Sequence, residues 1–216
     1  MTEYLLISAA LGYILSAFIG YTLGSLNLAY FISKARGFDI RTYGSNNAGA
    51  SNATVTMGLK IGLLVGIHDI LKAFLAVTVT SWLCPSLVGA SVVAGACAVL
   101  GHIFPFYLNC KGGKGFASYV GMMLGIDWRF GIALIVISVL ITLASDYIIF
   151  GTFTTILVSP IHLIINGYSL LSIIAIIIAS LLILSKHLIN IKRVIMGEEI
   201  GLRRALSKED KIGKGR

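Results

Sequence analysis

The segment "LLSIIAIIIASLLILS", residues 170–185, decides the class of fold, because sixteen residues pass there without a charged side chain. A helix rises about 1.5 Å per residue, so such a run approaches the roughly 20 residues that cross a bilayer. The whole chain shares this character: of 216 residues, 57% are hydrophobic and only 12% are charged. A soluble domain of this size could not keep so much apolar surface away from water. The sequence therefore predicts an integral membrane protein.

Apolar segments on both sides of this run predict an all-α membrane protein with about seven transmembrane helices. They cover residues 5–32, 61–82, 87–108, 116–126, 130–144, 147–165 and 170–185. So many segments exclude a removable signal peptide as the explanation. The fourth segment has eleven residues, about half the length that a bilayer requires. It must be shielded by neighbouring helices, thin the membrane locally or be re-entrant.

The distribution of positive charge sets the predicted orientation. With seven crossings, 15 of the 17 Lys and Arg residues fall on one side, while Arg129 falls on the other and Lys72 lies within a span. The positive-inside rule then places the N-terminus outside and the C-terminus in the cytoplasm. With only six crossings, the Lys and Arg residues would be divided between the two sides of the membrane. We expect one polytopic membrane domain over residues 1–200 and a basic cytoplasmic tail over residues 201–216.

The composition also restricts the partners. The net charge is +8, but the cations flank apolar spans, so anionic membrane lipids and an anionic substrate are better partners than nucleic acid. The three cysteines are widely spaced and lie in or beside apolar segments, which indicates reduced thiols.

Two polar segments on the predicted cytoplasmic side are candidates for one binding pocket. The loop "CKGGKG", residues 110–115, combines glycines, which let backbone N–H groups converge on an anion, with two lysines. It is not a Walker A loop, because Gly115 follows Lys114 where that motif needs Ser or Thr. The loop "GSNNAGASN", residues 44–52, offers neutral hydrogen-bonding groups. An ordinary polar turn is the alternative for this second loop.

Ionisable residues inside the spans have structural and functional interpretations. Asp69 and Lys72 lie three residues apart on one helical face, so they form either a structural ion pair or part of a catalytic site. His102 either contacts a phosphate or caps a kinked helix. We expect His68 to point away from Asp69, and we expect no role for His162.

Three segments together resemble the bacterial PlsY family, the membrane acyl-phosphate:glycerol-3-phosphate acyltransferases. They are "GSNNAGASN", then "GHIFP" with "CKGGKG", and finally "HLINI" at residues 187–191. The resemblance implies transfer of a fatty acyl group from acyl phosphate to the 1-hydroxyl of sn-glycerol 3-phosphate, giving lysophosphatidate and phosphate. It implies no metal and no cofactor, and it places the protein in the bacterial inner membrane with a cytoplasmic active site.

The resemblance also implies the site residues. The phosphate-binding set is His102, Lys111, Gly112, Gly113, Lys114 and Gly115. The catalytic set is Ser45, Asn47, Lys114, His187 and Asn190, of which the first two hold the acceptor and the last two close the glycerol side.

Two departures from the family pattern indicate a divergent member. Val55 stands where the family has a phosphate-binding arginine, and Ile149 stands where a serine is expected. Thr152 lies on the same helical face as Ile149 and is a candidate replacement, but the sequence suggests no nearby guanidinium to replace the arginine. A non-catalytic paralogue that binds a phosphorylated glycerol or lipid is therefore the alternative function. A small transporter is the third hypothesis, although it should place its polar groups near mid-membrane.

Overall fold

The protein is a bundle of α-helices in a computed structural model, which describes residues 2–206. Every regular element in that range is helical, including two short 3-10 turns at Ile40–Thr42 and Phe106–Leu108. The α-helices are α1 Thr2–Ser25, α2 Leu28–Ala35, α3 Ala50–Met57, α4 Leu59–Leu83, α5 Ala90–Ile103, α6 Phe116–Ile126, α7 Trp128–Ser145, α8 Ile148–Ile165, α9 Leu170–Ile195 and α10 Leu202–Leu206. The predicted all-α class is confirmed.

Six segments of the described chain are long and apolar enough to cross a membrane, one fewer than the seven predicted. They are Leu6–Ala35, Leu59–Leu83, Ala90–Leu108, Trp128–Ser145, Ile148–Ile165 and Leu170–Ile195. The predicted span that is missing from this set is the fourth, α6, whose bounds agree with the prediction but whose 11 residues are too few to span alone.

Neighbouring helices shield α6. All six residues of this helix from Ser118 to Met123 are buried. Gly121 lies against α4 so closely that a Cβ atom there would collide with the carbonyl group of Ile70. The short helix therefore meets few lipids, which is the first of the three possibilities that its length allows.

Contacts at its two ends join α6 to the end of α9 and to the end of α8. Just before α6, Lys114 contacts Asn190 near the end of α9. Just after α6, Asp127 lies 3.0 Å from His162 in the last turn of α8, where α9 is about to begin. His162, for which no role was expected, thus links α8 to the α6–α7 junction. A seventh membrane crossing, with the predicted orientation, stays a prediction.

The first predicted span consists of two helices with a break at Asn27. The backbone of Asn27 is extended, and its side-chain oxygen accepts a hydrogen bond from the backbone N–H of Tyr30, which caps α2. The break frees the carbonyl group of Leu26, and the buried Lys72 ammonium donates to it at 2.8 Å. The same ammonium lies 2.8 Å from Asp69, so this pair of intramembrane charges stabilises the break.

The segment after Ile195 returns to the bundle. Gly201 is buried against Asp146, which follows α7. The backbone N–H groups of Leu202 and Arg203 donate to the backbone oxygen and the carboxylate of Asp146, at 2.7 and 2.8 Å. The remainder of the predicted basic tail, residues 207–216, lies outside the described residues, and the domain boundary stays a prediction.

Candidate active site

A cavity of about 610 Å³ lies at the end of the bundle where α6 begins and α9 ends. It is lined by the loop before α3, the start of α6, the α7–α8 hairpin, the end of α9 and the returning segment. The predicted site residues in its wall are Ser45, Asn47, His102, Lys114, Gly115, His187 and Asn190. The structure thus brings the two polar loops and the third motif into one pocket.

Asn52 holds the first loop in shape. Its side chain is buried, its amide nitrogen contacts the carbonyl oxygens of Ile40, Tyr43 and Asn47, and its amide oxygen accepts the backbone N–H of Ser45. The sequence had suggested Asn52 as one of several ligand-binding amides, but its groups are already used within the loop. Part of this segment, predicted as an irregular polar loop, forms α3 because it packs against α4.

Ser45 and Asn47 face the cavity with unused polar groups. Within residues 2–206 the hydroxyl of Ser45 makes no hydrogen bond, and the side-chain oxygen of Asn47 is buried without a partner. A buried acceptor without a partner is costly, so this position favours a ligand that donates a hydrogen bond.

Lys114 is the lysine that enters the cavity. Its ammonium donates to the side-chain oxygen of Asn190 at 2.7 Å, and the amide nitrogen of Asn190 donates to the carboxylate of Glu199. Burial lowers the pKa of Lys114 to about 8, partly offset by the nearby carboxylate of Glu199. Asn190, predicted to contact glycerol, thus also fixes the position of Lys114.

The glycines of the second loop pack against α5 and do not form an anion cradle. The backbone N–H groups of Gly112 and Gly113 donate to the carbonyl groups of Ile103 and His102, which are the last unpaired acceptors of α5. A Cβ atom on Gly113 would collide with the imidazole of His102. Neither glycine lines the cavity, so the sequence-based interpretation of these two as phosphate ligands does not match their position.

Lys111 is also absent from the cavity wall. Asn109 and Cys110 adopt positive φ angles of 53° and 56°, which turn the chain so that Lys111 is exposed. The structure therefore does not bring this predicted phosphate ligand to the site.

His102 is buried between the glycine loop and the intramembrane charges. Its Nδ1 atom lies 2.9 Å from the Lys72 ammonium and 3.4 Å from Asp69. His68 also approaches Asp69, at 3.6 Å, although the sequence predicted that it points away. His102 supports the glycine loop and reaches the edge of the cavity.

His187 lines the cavity and has one ring nitrogen that can accept a proton. Its Nδ1 atom lies 2.9 Å from the carbonyl oxygen of Ile183, which can only accept, so Nδ1 carries the hydrogen. In the neutral ring, Nε2 then holds a lone pair and can accept a proton.

Val55 and Ile149, the two positions that depart from the family pattern, both line the cavity, and other polar side chains share its wall. Val55 shares the wall with Arg193, a guanidinium that the sequence-based search near Val55 missed. The hydroxyl of Thr152 donates to Ile148 within α8 and does not line the cavity, whereas Thr142 of α7 does. The spacing His187, Asn190 and Arg193 was the available signal, since residues three apart share a helical face.

The fold and the site define a multi-pass membrane protein with a cavity of polar and apolar walls at one end of its helices. Residues 14–197 match the protein family described as Glycerol-3-phosphate acyltransferase. The chain belongs to this family.

Individual relatives agree. A glycerol-3-phosphate acyltransferase of Prochlorococcus marinus is 34% identical, covering 86% of this chain and 95% of that protein. One from Endomicrobium trichonymphae is 37% identical, covering 88% and 96%. A crystal structure of PlsY, an integral membrane glycerol 3-phosphate acyltransferase, in its glycerol 3-phosphate form has a TM-score of 0.81 at 28% identity, covering 88% of this chain and 94% of that one. The lysophosphatidic acid form gives 0.79, covering 90% and 98% at the same identity.

Proposed function

We propose that this protein transfers a fatty acyl group from acyl phosphate to the 1-hydroxyl of sn-glycerol 3-phosphate, giving lysophosphatidate and phosphate. The observation that carries the proposal is the convergence of Lys114, Asn47 and His187 in one cavity at the end of a membrane bundle. The names of the relatives, and the two PlsY forms with glycerol 3-phosphate and lysophosphatidic acid, support glycerol 3-phosphate as the acceptor.

The acceptor fits the polar wall of the cavity. The ammonium of Lys114 and the hydroxyl of Ser45 are suited to phosphate oxygens, since charge-assisted hydrogen bonds are the stronger ones. The partnerless oxygen of Asn47 can accept a hydrogen bond from a glycerol hydroxyl. His187 and Asn190 lie on α9 in the cavity wall, where they are suited to close the glycerol side.

The apolar side of the cavity suits a fatty acyl chain. Val139, Leu143 and Ile148 line the cavity and are also exposed on the lipid-facing surface of α7 and α8. An acyl chain can therefore lie between these two helices with its tail among lipids while its phosphate end reaches the polar wall.

The reaction requires positioning and one proton transfer. The 1-hydroxyl oxygen forms a bond to the acyl carbonyl carbon, the bond between that carbon and the phosphate oxygen breaks, and phosphate leaves. In this proposal His187 Nε2, which holds a lone pair, takes the hydroxyl proton as general base. Because acyl phosphate is already activated, oriented reactants and a cation for the developing charge are sufficient, and no covalent nucleophile is needed.

The clustering of positive charge supports an active site that faces the cytoplasm, because the cavity lies beside the loops that carry most Lys and Arg residues. The bacterial relatives support the inner membrane as its location. Membrane lipids surround the helices, and the acyl phosphate reaches the cavity from the bilayer.

The test uses purified protein in detergent or liposomes with glycerol 3-phosphate and one of two donors, palmitoyl phosphate or palmitoyl-CoA. We expect release of phosphate and formation of lysophosphatidate in equal amounts from palmitoyl phosphate only. Turnover with palmitoyl-CoA and none with palmitoyl phosphate would contradict the assignment of acyl phosphate as the donor. Saturable binding of glycerol 3-phosphate without any product would favour the non-catalytic alternative.

A further inference from the structure

The cavity contains a second cation that the proposed chemistry has not used. Arg193 lies in the last turn of α9, three residues after Asn190, and its side chain lines the cavity. Residues spaced three apart project from the same face, so the helix that positions Asn190 also directs Arg193 toward the site.

The guanidinium of Arg193 has no protein partner within residues 2–206: no hydrogen bond or ion pair satisfies it there. The side chain is nevertheless half-buried. Neither nearby carboxylate forms an ion pair with it within residues 2–206: Glu199 accepts the amide of Asn190, and Glu198 is exposed. A guanidinium in this position, with five donors in a fixed plane, is suited to bind an anion.

The backbone around Arg193 is fixed. Its carbonyl oxygen accepts the N–H groups of Glu198 and Glu199 at 2.8 and 3.2 Å, which closes the end of α9. The same turn brings Glu199 to Asn190, and thus to Lys114. The backbone of Arg193 is therefore fixed in position relative to Lys114.

Arg193 and Lys114 act on the same region of the cavity. The positive charge of Arg193 contributes to lowering the pKa of Lys114, so the two cations are close enough to repel each other. The carboxylate of Glu199 acts on the pKa of Lys114 in the opposite direction and more strongly, and a phosphate dianion that contacts both cations offsets their mutual repulsion.

Val55, on α3, lines the same cavity and is half-buried. A valine there fills less of the cavity than a longer side chain such as arginine would. We propose that Arg193 binds the phosphate group of the acceptor together with Lys114, and that it does so from α9 in the space that Val55 leaves open. This inference rests on the proposed function for the identity of the acceptor.

Direct binding of glycerol 3-phosphate to purified protein, measured by isothermal titration calorimetry in detergent, tests the inference separately from catalysis. We expect Arg193→Ala to raise the dissociation constant by about tenfold or more, and Arg193→Lys to recover part of the loss. Lys192→Ala is the matched control, because Lys192 is the adjacent cation, is exposed and does not line the cavity. We expect no change for it.

A double variant tests whether a guanidinium on α3 can replace the one on α9. Val55→Arg in the Arg193→Ala background should recover most of the lost affinity, whereas a purely structural role of Arg193 predicts no rescue. Unchanged binding by Arg193→Ala, or equal losses for Arg193→Ala and Lys192→Ala, would overturn the inference even if the wild type transfers acyl groups. Conversely, loss of binding by Arg193→Ala in a wild type without transferase activity would support the inference and reject the proposed function.

Discussion

Replacing the two lysines of the glycine loop separately is the sharpest test of the site. The sequence treats Lys111 and Lys114 as equivalent, but only Lys114 lines the cavity, and Lys111 is exposed. We expect Lys114→Ala to lose a charged hydrogen bond to the acceptor phosphate, worth about 1.5 to 3 kcal/mol. At 1.4 kcal/mol per factor of ten, the loss is about 10- to 150-fold in acceptor affinity.

Two further effects act in the same direction at position 114. The 2.7 Å hydrogen bond from Lys114 to Asn190 disappears, so the amide of Asn190 keeps only its bond to Glu199, and the cavity loses one of its positive charges. Lys111→Ala removes a charge in solvent, where pairwise electrostatic effects are about 1 kcal/mol or less. We therefore expect its acceptor affinity to stay within about fivefold of wild type.

The assay is the Michaelis constant for glycerol 3-phosphate at saturating palmitoyl phosphate, together with the calorimetric dissociation constant. Thermal unfolding in detergent controls for misfolding, and we expect similar midpoints for both variants. Equal losses of affinity in the two variants would refute the assignment of Lys114 as the lysine of the site. A loss confined to Lys111→Ala would show that the loop turns the other way in the working enzyme.

Three other outcomes follow from the structure. Because the protonated ammonium of Lys114 binds the anion and its pKa is about 8, the affinity for glycerol 3-phosphate should fall as the pH of a titration series rises through about 8, and a flat profile up to pH 10 would contradict this role. Gly113→Ala should destabilise the protein by about 1 to 3 kcal/mol in chemical unfolding, since its Cβ would collide with the buried ring of His102; an unchanged midpoint would show that the loop does not pack there. In sealed, oriented vesicles, a membrane-impermeant thiol reagent should label Cys110 from the cytoplasmic side and Cys84 only from the opposite side, and labelling of both from one side would overturn the topology.

The sequence predicted the helices where their boundaries coincide with a change in composition. The short helix α6 begins where the glycine loop ends and stops at Asp127, so both bounds were readable. The break at Asn27 was not readable, because apolar residues continue on both sides. The break depends on partners distant in sequence. Lys72 donates to the carbonyl of Leu26. The hydroxyl of Tyr107 donates to the carbonyl of Ser25 and accepts the backbone N–H of Asn27.

The candidate site was predictable as a set of motifs but not as a geometry. The motifs identified Lys114, His187 and Asn190 correctly as neighbours. They also suggested that glycine N–H groups hold phosphate, whereas the structure shows those of Gly112 and Gly113 bonded to the end of α5. Arg193 was missed as a candidate for the missing guanidinium because a replacement was sought near Val55 in the chain, and the two residues come to line one cavity only in the folded protein.

The hydrogen bonds of Lys114 explain why the returning segment after α9 belongs to the site. Lys114 is held by Asn190, Asn190 is held by Glu199, and the backbone of Glu199 is bonded to Arg193. This segment is fixed in turn by the docking of residues 201–203 on Asp146, at the end of α7. The returning segment therefore positions both cations through a continuous set of contacts. Because these contacts join α6, α7 and α9, the acceptor pocket depends on the packing of the whole bundle end.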